Sequence, residues 1–282
     1  MIRRTLRIAF AALTACASLA VPAAVSCTVA STGWSTAYVP STAATNITQS
    51  SITVTCQRNT GADPTTVNFT IASNNGLHAT GQQNRVQLNA ANRINYEDYE
   101  DSGCGTVWSG ANTIAGSITG LAGFTPKPTT LSFWGCVPGS QTGLAAGTYT
   151  DTVTMTLTYG PTNTTTTSTF PVSLVSPATC TVSTAPGTVA FTYTAFSVTA
   201  ANATTTFGVT CTNLLPYTMA LDATTAVIAG LQYSLSLSSA GATGTGAAQP
   251  YTITGTMPAG QAGTCATASC GATQARTLTI SY

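Results

Sequence analysis

The sequence predicts an all-β protein built from two copies of one domain, and three observations lead to that prediction. Short segments that alternate polar residues with Val, Tyr, Ile or Phe recur along the chain, as strands with one buried face do. No segment beyond the N-terminal leader has a helical hydrophobic period. The stretch "AVSCTVAS" at 24–31 is nearly repeated as "SPATCTVS" at 176–183.

The two halves match element by element and in the same order, which supports a tandem duplication. The matched pairs are "ITVTC" ending at Cys56 with "FGVTC" ending at Cys211, "INYEDY" around Tyr96 with "LQYSLS" around Tyr233, "VPGSQ" at 137–141 with "MPAGQ" at 257–261, and "TMTLTY" ending at Tyr159 with "TLTISY" ending at Tyr282.

The N-terminal residues have the pattern of a secretory signal peptide. Arginines at positions 3, 4 and 7 precede an apolar run from Ile8 to Val21, and small residues follow at Ala23 and Ala24. The apolar run is shorter than the ~20 residues that span a bilayer. We therefore assign residues 1–24 to a cleaved leader and expect the mature protein to be exported.

The mature composition excludes a nucleic-acid partner and is sufficient for two small cores. Loss of the leader leaves five basic and seven acidic residues, a formal charge of −2. The basic residues are scattered and form no stripe. Apolar residues make up 43% of the chain, which distinguishes it from a low-complexity stalk. A seven-stranded sandwich needs only about 100 residues.

The cysteines predict disulfides, because an even number in an exported chain indicates bridges and not metal ligands. Cys16 leaves with the leader and eight cysteines remain. Two cysteines of each half have counterparts in the other half at a similar interval, and the remaining four have none. We pair the cysteines that are shared, gained or lost together. The predicted bridges are Cys27–Cys56, Cys104–Cys136, Cys180–Cys211 and Cys265–Cys270.

The same segments resemble the spore coat protein U domain. The resemblance rests on the "CTV" opening, "ITVTC", "INYEDYEDSGCGTVWSG", "VPGSQ…AGTYTDTVTMTLTY" and "GTGAAQPYTITGTMPAGQ", and it covers the mature chain twice. That family builds subunits of archaic chaperone–usher pili in Gram-negative bacteria. The resemblance implies two tandem immunoglobulin-like β-sandwiches that each need a last strand from elsewhere, supplied by β-augmentation. It also implies three partners: a periplasmic chaperone, an outer-membrane usher and an adjacent pilin subunit.

The predicted domains are residues 25–160 and 177–282, joined by a polar linker and a strand within 161–176. Phe170, Val172 and Leu174 alternate in that strand, so we expect it to fold back and complete the first domain. The second domain is expected to lack its last strand, because the sequence ends at Tyr282, which matches Tyr159. Only two or three mature residues precede Cys27, so the chain is expected to accept a strand without giving one, as a tip subunit does.

One acidic segment and one histidine are the candidates for a chemical site. The acidic residues of "YEDYEDSGC", Glu97, Asp98, Glu100 and Asp101, could bind calcium, but we interpret them as a solvated strand end and turn. His78 lies in a Gly-rich segment that reads as a surface loop, which argues against a catalytic triad. We expect no catalytic residue, no bound metal, no cofactor and no enzymatic activity.

Apolar residues in a Gly-rich segment of the first domain are candidates for an adhesive loop. They are Ile114, Ile118, Leu121 and Phe124, and the alternative is that they cap the sandwich from inside. Trp108, Phe133 and Trp134 are better candidates for the core. The expected function is attachment and biofilm formation by a pilus tip adhesin whose surface or host ligand is not specified. The alternatives are a structural coat or shaft protein and a soluble carbohydrate-binding module.

Overall fold

The computed structural model describes residues 25–40, 42–89 and 91–282. The predicted signal peptide lies outside these residues. Every regular element among them is a β-strand, which confirms the all-β prediction. Within these ranges no helix is long and apolar enough to cross a membrane.

The first half forms a curled sheet of ten strands in the order β1-β3-β8-β6-β5-β9-β10-β2, with β4 paired to β9 and β7 paired to β4. The strands are β1 (Ser26–Ser31), β2 (Trp34–Ala37), β3 (Asn46–Gln57), β4 (Val67–Ser73), β5 (Asn84–Asn89), β6 (Asn92–Tyr99), β7 (Ile114–Ile118), β8 (Lys127–Val137), β9 (Gly147–Tyr159) and β10 (Thr164–Ser176). Successive residues of β9 alternate between buried positions and partly or fully exposed positions held by threonines. This alternation explains the abundance of Thr, since a β-branched hydroxyl residue suits the wetted face of a strand.

The second half forms two sheets, one of five strands in the order β11-β12-β17-β15-β14 and one of three strands in the order β16-β13-β18. The strands are β11 (Cys180–Thr184), β12 (Ala201–Cys211), β13 (Pro216–Leu221), β14 (Thr225–Ile228), β15 (Leu231–Leu237), β16 (Gly241–Thr243), β17 (Ala248–Met257) and β18 (Leu278–Ser281). Each half surrounds its own cluster of buried apolar side chains.

A glutamine side chain makes the same contacts in both halves. The Gln141 amide donates to the backbone oxygen of Asn95 (2.9 Å) and accepts from its backbone nitrogen (2.7 Å). The Gln261 amide makes the same two contacts with Gln232, at 3.0 and 2.6 Å. The glutamine thereby replaces a backbone partner beside strands β6 and β15. This shared contact shows that the matched sequence segments occupy equivalent places.

The cysteines form the four pairs that the repeat predicts. Two of these bridges are equivalent, because Cys27 faces Cys56 across β1 and β3, while Cys180 faces Cys211 across β11 and β12. The third bridge ties the loop at Cys104 to β8, and the fourth closes a short loop before β18.

The first core is rich in aromatic rings. Trp108 and Phe133 are fully buried, as expected, and their ring centroids lie 5.1 Å apart. Trp134, the next residue along β8, is only half-buried because alternation turns it to the other face. Trp34 is also buried and meets the edge of the Tyr96 ring at 5.4 Å.

Asp98 corrects the interpretation of the acidic segment as a solvated strand end. It is completely buried, because β6 continues to Tyr99 and its inward face passes through Ile94, Tyr96 and Asp98 in turn. One carboxylate oxygen accepts from the Trp34 indole N–H at 2.8 Å, and the other has no hydrogen-bond partner among the described residues. Desolvation raises the pKa of Asp98 to about 7.

The other acidic residues of this segment fit the expected turn more closely. Asp101 accepts hydrogen bonds from the backbone N–H groups of Gly103, Gly105 and Thr106, which lowers its pKa. Glu97 is half-buried, and desolvation raises its pKa to about 7. Among the described residues, no group of three or more His, Cys, Asp or Glu could hold a metal ion.

We predict that the first domain is less stable at pH 8 than at pH 5. A carboxyl with a pKa near 7 in the folded state and near 4 in the unfolded state binds its proton more tightly when folded, so stability falls as pH rises through this window. The expected difference is about 1–3 kcal/mol. All three tryptophans lie in the first half, so tryptophan fluorescence during chemical unfolding reports on this domain alone.

The variant Asp98→Asn tests the cause of this dependence. It keeps an acceptor for the Trp34 indole and removes the charge, so the loss of stability between pH 5 and pH 8 should shrink to the part that Glu97 contributes. An unchanged pH dependence in Asp98→Asn would exclude Asp98 as its source.

Candidate strand-acceptor groove

Strand β10 closes the first domain. It pairs along its whole length with β9 in antiparallel register, from Thr164 opposite Tyr159 to Ser176 opposite Gly147. On its other side Val172 to Val175 pair in parallel with β2. Gly33, just before β2, has a φ of +72°, and a Cβ there would collide with the backbone of Pro171. The glycine therefore permits the close approach of β10.

The inward side chains of β10 complete the first core. Phe170, Val172 and Leu174 are all fully buried. The Phe170 ring lies parallel to the Trp108 indole at 6.0 Å and also contacts the Phe133 ring at 5.3 Å. Burial of three such side chains corresponds to roughly 1.5–3 kcal/mol each before conformational entropy is subtracted. The first core therefore depends on a strand that the sequence places after Tyr159.

The expected polar linker before this strand is much shorter than predicted. Only the four-residue turn Gly160 to Asn163 separates β9 from β10, and the threonines from Thr164 onward already belong to the strand. The long run of threonine has no apolar alternation, so it resembles a linker. Threonine hydroxyls also suit the outward positions of a strand, so the same run can form one.

Tyrosines locate the equivalent of β2 in the second half. The Tyr38 hydroxyl accepts from the backbone nitrogen of Gln141 at 3.0 Å, and the Tyr193 hydroxyl accepts from that of Gln261 at 2.9 Å. Tyr193 is therefore the counterpart of Tyr38. The segment 185–194 that leads to Tyr193 corresponds to β2.

A second hydrogen bond locates the equivalent of β9. The Tyr96 hydroxyl donates to the buried carboxylate of Asp151 at 2.8 Å. The Tyr233 hydroxyl donates to the side-chain oxygen of Gln274 at 2.7 Å. This hydrogen bond agrees with the alignment of Tyr159 with Tyr282, which also makes Gln274 the counterpart of Asp151. Residues 270–282 thus correspond to 147–159.

Both of these segments have an unpaired edge in the second half. Residues 185–194 belong to no strand, although Val189, Phe191 and Tyr193 are partly buried and alternate with exposed residues. Within the described residues β18 pairs only with β13, whereas β9 pairs with β4, β5 and β10. β18 has four residues and β9 has thirteen. The two edges outline a groove where the first half has β10, and we call it the acceptor groove.

The second core is open towards the acceptor groove. Val29 on β1, which contacts β10, is 6% exposed, whereas its counterpart Val182 on β11 is 49% exposed. Among the residues that the structure describes, Leu131 is the single partly buried member of the first cluster, but in the second cluster such members outnumber the buried ones. The partly buried members on the two segments that border the groove are Val189, Phe191, Tyr193, Leu278 and Ile280. The groove is therefore lined largely by apolar side chains.

One charged side chain lies in this apolar lining. Arg276 occupies the position of Val153 and is 19% exposed. Its Nε donates to the Tyr233 hydroxyl at 2.8 Å, and its guanidinium lies 5.6 Å from the centre of the Tyr233 ring. A terminal nitrogen lies 3.5 Å from the carboxylate of Asp222. Sequence reasoning missed this residue, although an arginine aligned with a valine was a signal that could have found it.

The apolar residues predicted for an adhesive loop are mostly core residues. Ile114, Ile118 and Leu121 are buried, because β7 pairs with β4 and the Leu121 backbone bonds to Thr65. Only Phe124 is exposed, at 61%. The prediction of an exposed apolar loop is therefore wrong for the first three residues. They cap the sandwich from inside, which was the alternative.

Phe124 lies at the end of the first domain that is remote from the second domain. Its loop joins β7 to β8 and lies beside the start of β10, whereas the end of β10 at Ser176 leads into the second half. A strand of thirteen residues spans about 40 Å.

His78, which the sequence places in a surface loop, is half-buried in the loop after β4.

The model of the Spore Coat Protein U domain matches this chain twice, over residues 11–156 and 166–243. The chain belongs to the Spore Coat Protein U domain family. The resemblance that the sequence indicates is thereby confirmed. A comparison with curated proteins finds no match.

Solved structures similar to this Spore Coat Protein U domain protein include subunits of bacterial pili. A chain of the CsuC–CsuE chaperone–tip adhesion subunit pre-assembly complex, from the archaic chaperone–usher Csu pili of Acinetobacter baumannii, aligns with a TM-score of 0.50 and 14% identity, over 91% of this chain and 100% of that one. The CupB6 tip adhesin from Pseudomonas aeruginosa aligns with a TM-score of 0.40 and 11% identity, over 92% and 94%. The first of these similarities confirms the immunoglobulin-like fold.

We predict that Phe170→Ala destabilises the first domain by about 3–5 kcal/mol, because it removes a fully buried ring from β10 and leaves a cavity between Trp108 and Phe133. Chemical unfolding followed by tryptophan fluorescence measures the loss. Thr169→Ala on the same strand is exposed and serves as the control, with an expected change within about 0.5 kcal/mol. Equal effects of the two variants would mean that β10 does not complete this core.

Proposed function

We propose that this protein is the tip subunit of a chaperone–usher pilus, with an acceptor groove in its second domain and an adhesive surface on its first. The observation that carries the proposal is the contrast between the halves. One domain is completed by β10, and its duplicate has an unpaired edge on each side of the equivalent space.

The proposed occupant of the acceptor groove is an extended strand from another polypeptide. Strand β10 is the template for it, since it pairs with the equivalents of both groove edges and inserts an apolar residue at every second position. In the family that the chain belongs to, a neighbouring subunit is expected to supply this strand in the fibre and a periplasmic chaperone before assembly, with an outer-membrane usher catalysing the exchange.

We base the proposed tip position on β10, which completes the first domain of its own chain. The resemblance implies that polymerising subunits carry a donor strand ahead of their first conserved cysteine. Here the strand ahead of Cys180 is consumed by the first domain of the same chain. A subunit that uses this strand internally can accept a strand at its second domain, but it cannot donate this strand to another subunit. The tip label on the similar Csu complex supports the same assignment.

The proposed adhesive surface lies at the remote end of the first domain, around Phe124. An exposed aromatic ring on a loop is suited to contact a partner or surface, because it supplies a large apolar area at low entropic cost. Its position away from the second domain keeps it accessible when the second domain joins the fibre. Export through the periplasm follows from the predicted signal peptide and is part of this proposal.

The acceptor groove can be tested with a peptide that copies Thr164–Ser176. In the full chain the first domain is already closed, so the peptide is expected to occupy the second. We predict that the chain refolded alone aggregates, because unpaired strand edges and exposed apolar residues favour association. Refolding with the peptide should give a soluble one-to-one complex in which the amides of residues 272–282 become protected from hydrogen exchange.

The control is the same peptide with Val172→Asp and Leu174→Asp, which preserves the backbone and places charges at inward positions. It should neither prevent aggregation nor protect these amides. A stable monomer whose residues 272–282 are protected with no added strand would contradict the proposal.

The adhesive surface can be tested with the complex of chain and peptide. We predict that Phe124→Ser reduces attachment to a hydrophobic surface several-fold and changes stability by less than about 1 kcal/mol, because the ring is exposed. Leu77→Ser is the matched control, since Leu77 is 69% exposed in a loop beside Asp151. Equal attachment by the two variants would remove Phe124 from the adhesive surface. Leu121→Ser is expected to destabilise the fold instead.

A further inference from the structure

The second domain contains a single acidic and a single basic residue, and they pair with each other. Between 177 and 282 the charged residues are Asp222 and Arg276. Their side chains approach to 3.5 Å, and the backbone N–H of Asp222 donates to the oxygen of Thr277 at 2.9 Å. The pair lies where the segment before β18 passes the end of β13. In a domain with so few charges, an arginine beside an apolar groove calls for a specific explanation.

Arg276 points into the space between the two sheets. Residues 276, 278 and 280 are partly buried and alternate with exposed residues, so they share the inward face. Tyr233, which receives the Arg276 hydrogen bond, is 7% exposed and lies on β15 of the opposite sheet. The guanidinium therefore extends into the space between the sheets and does not lie on the outer surface.

The first domain shows which residue of an added strand would meet Arg276. Its counterpart Val153 lies directly opposite Phe170 in the β9–β10 ladder. A strand that pairs with residues 272–282 in the same register would therefore place one inward side chain on the guanidinium. The inward residue four positions further on, at the position of Leu174 in β10, would meet Ala272 and Phe191, which are apolar.

A covered guanidinium needs partners for its N–H groups. Arg276 has five such groups, of which Nε bonds to Tyr233 and one terminal nitrogen approaches the half-exposed Asp222. An added strand would remove water from the others. An apolar side chain over them would leave buried donors without acceptors, which is costly, whereas a side-chain oxygen would satisfy them.

We propose that Arg276 is a specificity-determining residue of the acceptor groove, and that the strand which fills the groove carries a hydrogen-bond-accepting side chain, an amide or carboxylate, opposite Arg276. This inference rests on the proposed function, because it requires a strand to bind in the groove. It predicts that the acceptor groove prefers a strand with a hydrogen-bond-accepting side chain where β10 has Phe170 over one with an aliphatic side chain there. The first and second domains would then be completed by strands that differ in the side chain at this position.

The test is a competition between peptides that copy Thr164–Ser176. One carries Phe170→Asn and the other Phe170→Leu, which have similar size and shape but differ in the accepting oxygen. The chain is refolded with an equimolar mixture in which one peptide is isotope-labelled, and native mass spectrometry gives the ratio bound. We expect the Phe170→Asn peptide to be captured at least tenfold more often, and this preference to disappear in the chain variant Arg276→Met.

A second competition, between the peptide with Leu174 unchanged and one with Leu174→Asn, provides the control. Leucine should win there with both chains, because Ala272 and Phe191 offer no donor side chain. Should Arg276→Met fail to fold, the opposite preferences at the two positions in the unaltered chain still decide the inference.

Each other outcome has a distinct meaning. Capture of both Phe170 variants without preference, or preference for leucine, would overturn the role of Arg276 and leave the groove itself supported. A win for the unmodified Phe170 peptide over both variants would also overturn it, since the guanidinium would then bind a ring by a cation–π contact. Capture of no peptide at all would refute the proposed function, and this inference with it.

Discussion

The structure depends on one requirement, that a strand lie between β9 and β2, antiparallel to β9 and parallel to β2. Without it the inward faces of both sheets meet water, and two strand edges present unpaired N–H and C=O groups. The first domain meets the requirement with β10, whose alternate residues fill the core around Phe170. The second domain has the same framework and no such strand among the described residues. Its short β18, its unpaired segment 185–194 and its partly exposed core all have this one cause.

The two halves share the framework and differ in the interior of the groove. The bridge across β1 and β3 and its counterpart across β11 and β12 recur, as do the glutamine contacts of Gln141 and Gln261 and the tyrosine hydrogen bonds. These groups hold loops and strand ends in place, and they do so in both domains. The residues at the edge that β10 covers in the first domain differ between the halves, because Arg276 stands where the first half has Val153.

In each domain, charged side chains lie in the space between the sheets. In the first domain Asp98 and Asp151 lie inside the sandwich and accept from Trp34 and Tyr96. In the second domain Arg276 lies inside and is held by Tyr233 and Asp222. Such groups are costly unless they are satisfied. The raised pKa of Asp98 is expected to make the stability of the first domain sensitive to pH. The threonine-rich outer faces contribute little charge of their own.

The sequence by itself determined the fold class, the duplication, the four cysteine pairs and the identity of the closing strand. All of these are carried by local alternation or by the repeat, since period two marks the faces of a strand and matched segments mark equivalent places. Only the tertiary structure decided the burial of Ile114, Ile118 and Leu121, because a Gly-rich segment hides the pairing of β7 with β4. It also decided that Asp98 is enclosed and that Arg276 faces the groove. The reason is physical: a polar residue on an inward position of a strand reads as solvated until the sheet that covers it is known.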